Sequence, residues 1–313
     1  MKIAFVFPGQ ASQYVGMGRE LCSHFPEAAA VFEKADAVLG FSLSSLCFEG
    51  PQEELNKTAI TQPAVLTTSL ACLAVLQKAG GPVPAAAAGH SLGEYSALVA
   101  AGSMSFEDAV RLVRKRGQYM QEAVPLGEGG MAAVMGLSSE AVAAVCREAS
   151  AYGVVEAVNL NCPGQVVIAG DMAGLKAAEP LLKEAGAKRV ISLPVSAPFH
   201  SRLMVPAGEK LAKDLDGVAL ADPSTPVVAN VSADYVRTGP EVKASLIRQV
   251  SSPVRWEESV RRLVASGIQT FVEVGPGKVL SGLIKKTSRE ALIYNMEDLA
   301  SLEKVLALTK EVS

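Results

Sequence analysis

The sequence predicts an α/β protein in which a small β-α-β-β-α-β unit interrupts a larger domain. Two observations carry this. Between Met131 and Val195 the apolar pattern reads strand, helix, strand, strand, helix, strand, an order that packs as a ferredoxin-like unit. Gly127-Glu128-Gly129-Gly130 before it and Ala197-Pro198 after it are natural entry and exit points. They put a small domain at 127–196 and a large one at 1–126 with 197–313. Composition agrees: 49 % hydrophobic residues over 313 positions can fill a sizeable core, and abundant Gly and Ala suit helices packed closely on a sheet.

Taken in order, Ile3 to Phe7 reads as a buried strand ended by Pro8-Gly9-Gln10. Helices follow at Gly18 to Phe25, Pro26 to Leu39 and Pro63 to Lys78, the last two opening on a proline suited to a first turn. Pro84 to Gly89 is too Ala-rich to signal a strand by propensity, and its assignment rests on the motif after it. Ser105 to Val124 is a clear helix, with Ser105 as N-cap and Asp108 completing a capping-box-like start. In the small unit the strands are Met131–Met135, Val154–Leu160, Gln165–Ala169 and Lys188–Val195, with helices Ser138–Ser150 and Met172–Ala185. Beyond it come helices at Leu203–Leu215, Val242–Gln249 and Trp256–Ser266, and a strand at Val227–Asn230. Thr270–Val274 is read as the final core strand.

Several function classes fall away. A net charge of −3 gives no global reason to expect nucleic acid. Five scattered cysteines without a CxxC pair argue for reduced thiols and a cytoplasmic setting. Three histidines (His24, His90, His200) with no His/Cys cluster make a zinc site improbable. The apolar start is cut short by Pro8, unlike a signal peptide, and the uncharged window Thr58–Gln77 reads better as a buried helix than as a membrane span.

Gly89-His90-Ser91-Leu92-Gly93 fits G-x-S-x-G, the pattern of a tight strand-to-helix turn that projects a serine oxygen outward. The pentapeptide is moderately specific, and an ordinary Gly-flanked turn is the alternative. A serine alcohol needs a base. His90 adjoins Ser91, so its side chain diverges from it, and His24 falls on a surface helix. His200, in the turn Pro198-Phe199-His200-Ser201, remains as the candidate, against a capping or surface role.

Arg116 is out of place. With about 100° per residue, the apolar residues of the Ser105–Val124 helix form one arc, and Arg116 falls inside it between Ala109 and Leu112. A buried guanidinium must be paired. It either forms a structural salt bridge or clamps an anionic substrate. Three other features have blander readings. Gly275-Pro276-Gly277-Lys278 reads as a tight turn before a phosphate loop, Cys162 as a buried thiol before a nucleophile, and Lys285-Lys286 with Arg289 as a solvated face before a contact for an acidic protein.

Together the motifs resemble the malonyl-CoA:acyl carrier protein transacylases, including the acyltransferase domains of fatty acid and polyketide synthases. They are Phe7-Pro8-Gly9-Gln10-Ala11-Ser12-Gln13, Gly89-His90-Ser91-Leu92-Gly93-Glu94-Tyr95, Arg116-Gly117, Asn161-Cys162-Pro163-Gly164-Gln165, Pro198-Phe199-His200-Ser201 and Glu273-Val274-Gly275-Pro276-Gly277, in that order over nearly the whole chain. The resemblance implies an α/β-hydrolase-like large domain with an inserted ferredoxin-like one, Ser91 as acyl-enzyme nucleophile and His200 as base. It implies an oxyanion hole from the backbone N–H groups of Gln10 and Leu92, Arg116 as carboxylate clamp, and Gln249 as the residue whose carbonyl orients the histidine. Leu92 and Phe199 look like malonyl-type rather than methylmalonyl-type choices. The expected partners are malonyl-CoA and acyl carrier protein, in fatty acid synthesis. No metal, bound cofactor, nucleic acid or membrane is expected, and the chain is expected to be a cytoplasmic monomer. A serine hydrolase sharing the elbow is the main rival.

Overall fold

A computed structural model describes residues 2–195 and 197–310. Ser196, the expected end of the small domain, lies outside the described residues, as do Met1 and 311–313.

The strands are β1 (Ile3–Phe7), β2 (Ala86–Gly89), β3 (Gly129–Met135), β4 (Val155–Cys162), β5 (Gln165–Asp171), β6 (Arg189–Ser192), β7 (Val227–Val228), β8 (Tyr235–Val236), β9 (Thr270–Val274) and β10 (Leu292–Met296). The helices that position the site are α1 (Thr58–Lys78), α2 (Gly93–Ala100), α3 (Phe106–Glu122), α4 (Gly239–Gln249) and α5 (Val279–Thr287).

Six strands form a sheet in the order β10-β9-β1-β2-β7-β8, parallel except for β8. Its middle strand β1 is buried along its whole length, as a parallel strand covered on both faces must be. The second sheet has the order β4-β5-β3-β6, all antiparallel, with helices Ser139–Ala149 and Met172–Glu184 contacting it. That is the ferredoxin-like arrangement. Main-chain bonds from Leu160 N to Val254 O and from Val254 N to Val158 O tie its edge strand β4 to the segment ahead of helix Trp256–Ala265.

Two expectations need correction. The helix expected to open at Pro63 begins at Thr58 and carries Pro63 in its interior. Proline removes one N–H, which should orphan the carbonyl of Ala59 four residues back. Arg114 of α3 donates its Nη1 to that carbonyl at 2.5 Å, so a neighbouring helix replaces the lost bond. Thr270–Val274 is also not the last strand, because β10 adds beyond it at the sheet edge. Its residues are exposed or half-buried up to Met296, which erases the apolar run that marks inner strands.

Ala-rich β2 is a strand by its pairing with β1 and β7, and close approaches fix the turn that follows it. A Cβ on Gly89 would sit 1.9 Å from the carbonyl of Gly93, and one on Gly93 would sit 2.1 Å from the carbonyl oxygen of Phe7. Only glycines let α2 start directly against β1 and β2. Likewise a Cβ on Gly117 would meet the backbone of Thr58 and Ala59 at 2.8 Å, so α3 lies against the first turn of α1. That contact sets the depth at which Arg116 sits.

Candidate active site

The site lies where ligands collect in open α/β sheets, at the carboxyl ends of the parallel strands. Gly9 and Gln10 follow β1, Ser91 follows β2, and Asn230 follows β7, which pairs beside β2. The antiparallel sheet closes over these ends. The resulting cleft of about 250 Å³ is lined by Ser91, His200, Arg116 and Gln10, by Met131, Ala133 and Val167 of the small sheet, and by Leu280 and Leu283 of α5.

Ser91 and His200 both hold left-handed backbone conformations, with φ of 53° and 66°. Non-glycine residues adopt that region at a cost that surrounding structure must offset. At Ser91 the offset is visible. Its N–H donates to Asn230 Oδ1 at 2.7 Å, while Asn230 Nδ2 donates to the Gly89 carbonyl at 2.7 Å, so one amide clasps both sides of the turn.

Ser91 Oγ lies 2.8 Å from His200 Nε2. On the other side of the ring, Nδ1 lies 2.8 Å from the Gln249 main-chain oxygen. A carbonyl can only accept, so Nδ1 carries the proton and Nε2 of the neutral ring presents its lone pair to the serine. Burial, then the charge of Arg116, push His200 down to about 3, so it is neutral near neutral pH.

Arg116 is buried in α3, as its helical phase requires. Nη1 donates to Gln62 Oε1 at 2.8 Å, and Nη2 donates to Gln249 Oε1 at 3.0 Å and to Ser91 Oγ at 3.1 Å. Among the described residues no carboxylate pairs with it directly, and Nε has no partner. The Tyr95 ring lies 5.6 Å from the guanidinium carbon. Of the two readings left open by the sequence, a structural salt bridge finds no acid at the guanidinium.

The remaining candidates are placed as follows. Among the described residues neither the Gln10 nor the Leu92 backbone N–H has a protein acceptor, and both flank the serine turn. Phe199 lines the cleft beside His200. Gln249 reaches Ser91, Arg116 and His200 at once, more than the carbonyl contact expected of it. His90 turns away from Ser91. Its Nε2 meets Asn161 Oδ1 at 2.9 Å, and its ring lies 5.7 Å from that of Trp256. His24 is at the surface of helix Arg19–His24. Burial raises the Cys162 thiol, which is the wrong direction for a nucleophile. At the Gly275–Lys278 turn, the Gly277 N–H is taken by Glu297 Oε2 at 2.7 Å, leaving an acid where a phosphate would sit. Lys285 donates to the carbonyls of Arg289 and Ala291, and Lys286 to Gln165 Oε1. Asn230 and Glu94, both buried against the dyad, were not singled out from the sequence.

A family model described as "Acyl transferase domain" matches residues 4–311. The chain belongs to the acyl transferase family. This acyl transferase is 52 % identical over 311 residues to the malonyl CoA-acyl carrier protein transacylase of Bacillus subtilis, covering 99 % of this chain and 98 % of the relative. The crystal structure of an acyl-carrier-protein S-malonyltransferase from Burkholderia pseudomallei superposes with a TM-score of 0.96 at 49 % identity, covering 98 % and 100 % of the two chains. A malonyl-transacylase in complex with its type II PKS acyl-carrier protein is equally similar, with a TM-score of 0.96 at 45 % identity and the same coverage. All three similarities span nearly the whole acyl transferase, small sheet included.

Proposed function

We propose that this acyl transferase moves malonyl groups from coenzyme A to the phosphopantetheine thiol of acyl carrier protein, through a malonyl ester on Ser91, in the supply of fatty acid synthesis. The relatives named for that reaction support the substrate pair. The observation that carries the acyl choice is Arg116: a buried guanidinium at the nucleophile, with no acid bonded to it among the described residues. Its planar fork matches a free carboxylate two bonds from the thioester carbon.

His200 Nε2 takes the Ser91 proton as Oγ attacks the thioester carbonyl. The backbone N–H groups of Gln10 and Leu92 receive the developing oxyanion, each contributing about 3 kcal/mol by analogy with other acyl-transfer enzymes. The protonated imidazole then gives its proton to the departing coenzyme A thiolate. The carrier's thiol repeats the sequence in reverse. Phe199 lines the cleft beside His200 and narrows it against a branched acyl group, whereas the Leu92 side chain is buried in the core and is not among the lining residues.

In this reading residues 127–196 are a distinct small domain that supplies one wall of the acyl chamber. Thioester exchange between two thiols is nearly thermoneutral and asks for no metal or bound cofactor. We take the enzyme as a cytoplasmic monomer without nucleic-acid or membrane partners. Five unpaired cysteines support a reducing setting. Among the described residues one helix, Thr58–Lys78, is long and apolar enough to cross a membrane, and it is mostly buried inside the fold.

The test is incubation with malonyl-CoA and intact-protein mass spectrometry. A malonyl adduct on Ser91 should persist in buffer and discharge when holo acyl carrier protein is added. Rapid discharge to water would mean a hydrolase, and full transfer by Ser91→Ala would exclude the seryl ester.

A further inference from the structure

Glu94 sits in the first turn of α2, three residues after the nucleophile, and is 1 % exposed. Its Oε2 accepts the Asn230 main-chain N–H at 2.9 Å and Gln249 Nε2 at 2.8 Å, and its Oε1 faces Ser245 Oγ at 3.4 Å. Among the described residues it makes no ion pair. A buried carboxylate without a direct cation costs several kcal/mol, which an apolar side chain of the same size would avoid.

What its two partners hold explains its presence. Asn230 clasps the serine turn through Ser91 N–H and Gly89 C=O. Gln249 donates Nε2 to the Ser91 carbonyl at 2.9 Å, turns Oε1 to Arg116, and offers its main-chain oxygen to His200 Nδ1. Gln249 ends α4 and Asn230 follows β7, so they belong to separate elements. Both touch the Ser91 main chain, and Gln249 Nε2 reaches Asn230 Oδ1 at a long 3.4 Å, but the short bonds that join them to one another run through the Glu94 carboxylate. A carboxylate only accepts, so it draws the NH₂ end of Gln249 to itself and leaves the oxygen end for the guanidinium. The amide then lies between a negative and a positive group with its dipole aligned to both. Burial raises the Glu94 carboxyl to about 6, while its hydrogen bonds and Arg116 hold it down, so the accepting form prevails at neutral pH.

We propose that Glu94 is a positioning residue of the transfer reaction: its carboxylate locks the Gln249 amide and the Asn230 main chain, and through them holds Ser91, His200 and Arg116 in one reactive geometry. This rests on the roles of Ser91, His200 and Arg116 given above. Glu94 touches no reacting atom.

Three variants test it by quenched single-turnover acylation with malonyl-CoA, read as adduct mass on Ser91. Glu94→Gln can set its amide oxygen where Oε2 sits, serve both donors, and turn its NH₂ to Ser245. Its acylation rate should stay within about fivefold of wild type, because the reacting atoms keep their places. Glu94→Ala removes the acceptor and should slow saturated acylation by about 100-fold, with KM for malonyl-CoA changed less than about threefold. Should Glu94→Ala fail to fold, Glu94→Asp replaces it. That variant keeps the charge but withdraws the carboxylate by one carbon–carbon bond, about 1.5 Å, and should lose at least about tenfold in rate. Rescue by Gln but not by Asp is the signature of position over charge. Equal losses in Gln and Ala, a loss confined to KM, or a wild-type rate in Asp overturns the proposal. A wild-type protein that forms no Ser91 adduct overturns the functional reading along with it; normal wild-type acylation with indifferent variants overturns the positioning role alone.

Discussion

Arg116 makes two kinds of contact that one substitution can separate. Toward any acyl thioester it offers the hydrogen bond from Nη2 to Ser91 Oγ at 3.1 Å. Toward a malonyl group it also offers a charged fork in a buried setting. In Arg116→Ala an acetyl thioester loses the first contact, about 1 kcal/mol or roughly fivefold in rate. A malonyl thioester loses both. Breaking a buried charged pair costs about 3–5 kcal/mol, equivalent to about 150- to 5000-fold. The orphaned acceptors Gln62 Oε1 and Gln249 Oε1 weigh on both substrates alike and cancel in the ratio. The malonyl-to-acetyl preference should therefore fall by the charged-pair factor alone, about 150- to 5000-fold. The assay is single-turnover acylation of Ser91 with malonyl-CoA and acetyl-CoA side by side, read by mass. Arg116→Lys keeps the charge without the fork and should fall between wild type and alanine. If both acyl groups lose the same factor, the guanidinium only supports the fold.

Three further outcomes follow from the geometry of the site. His200 is pushed below its ordinary value of 6.5 to about 3, so acylation by the Glu94→Gln variant should show no acid limb near pH 6.5. A limb there would mean that His200 titrates normally. For stability, the unfolded chain takes up this proton near 6.5 and the fold only near 3. The contribution is complete above pH 6.5 and is lost as pH falls toward 3, by up to about 5 kcal/mol, so His200→Gln should lose less Tm than wild type between pH 7 and 4.5. Gly93→Ala would put a methyl 2.1 Å from the Phe7 carbonyl oxygen. Urea unfolding should show a loss of at least about 3 kcal/mol, and a loss under about 1 would mean the elbow can widen.

The site was legible in the sequence where local sterics or periodicity carried it. Gly89 and Gly93 bracket Ser91 because a tight turn against two strands admits no side chain, and that need is written within five residues. Arg116 stood out because a helix of period 3.6 assigns each residue a side, and this one fell among apolar neighbours. Asn230 and Glu94 had no such signature. Their importance is made by contacts across 139 and 155 residues, Ser91 to Asn230 and Glu94 to Gln249, and a polar residue after a short strand or in a first turn looks ordinary. The fold shows the same division. The alternating pattern of the small unit is local and was readable. The start of the Thr58–Lys78 helix depends on an arginine from another helix, and the edge strand Leu292–Met296 depends on pairing with β9.

The Gln249 carbonyl behind His200 raises a question that the charges around it answer. A carboxylate in that place would stabilise the imidazolium; a carbonyl does so weakly, and Arg116 opposes it outright. Such a histidine is a reluctant base and a willing acid. Willingness as an acid suits the second half of each step, in which a thiolate must leave with a proton. In the proposed binding mode the substrate would ease the reluctance as a base, because a malonyl carboxylate seated on Arg116 would offset the positive charge that helps hold His200 neutral. An acetyl group brings no such offset. In the proposed binding mode, the contact holding the malonyl carboxylate would thereby also strengthen the proposed base at Ser91, so selectivity would enter in the chemical step as well as in binding.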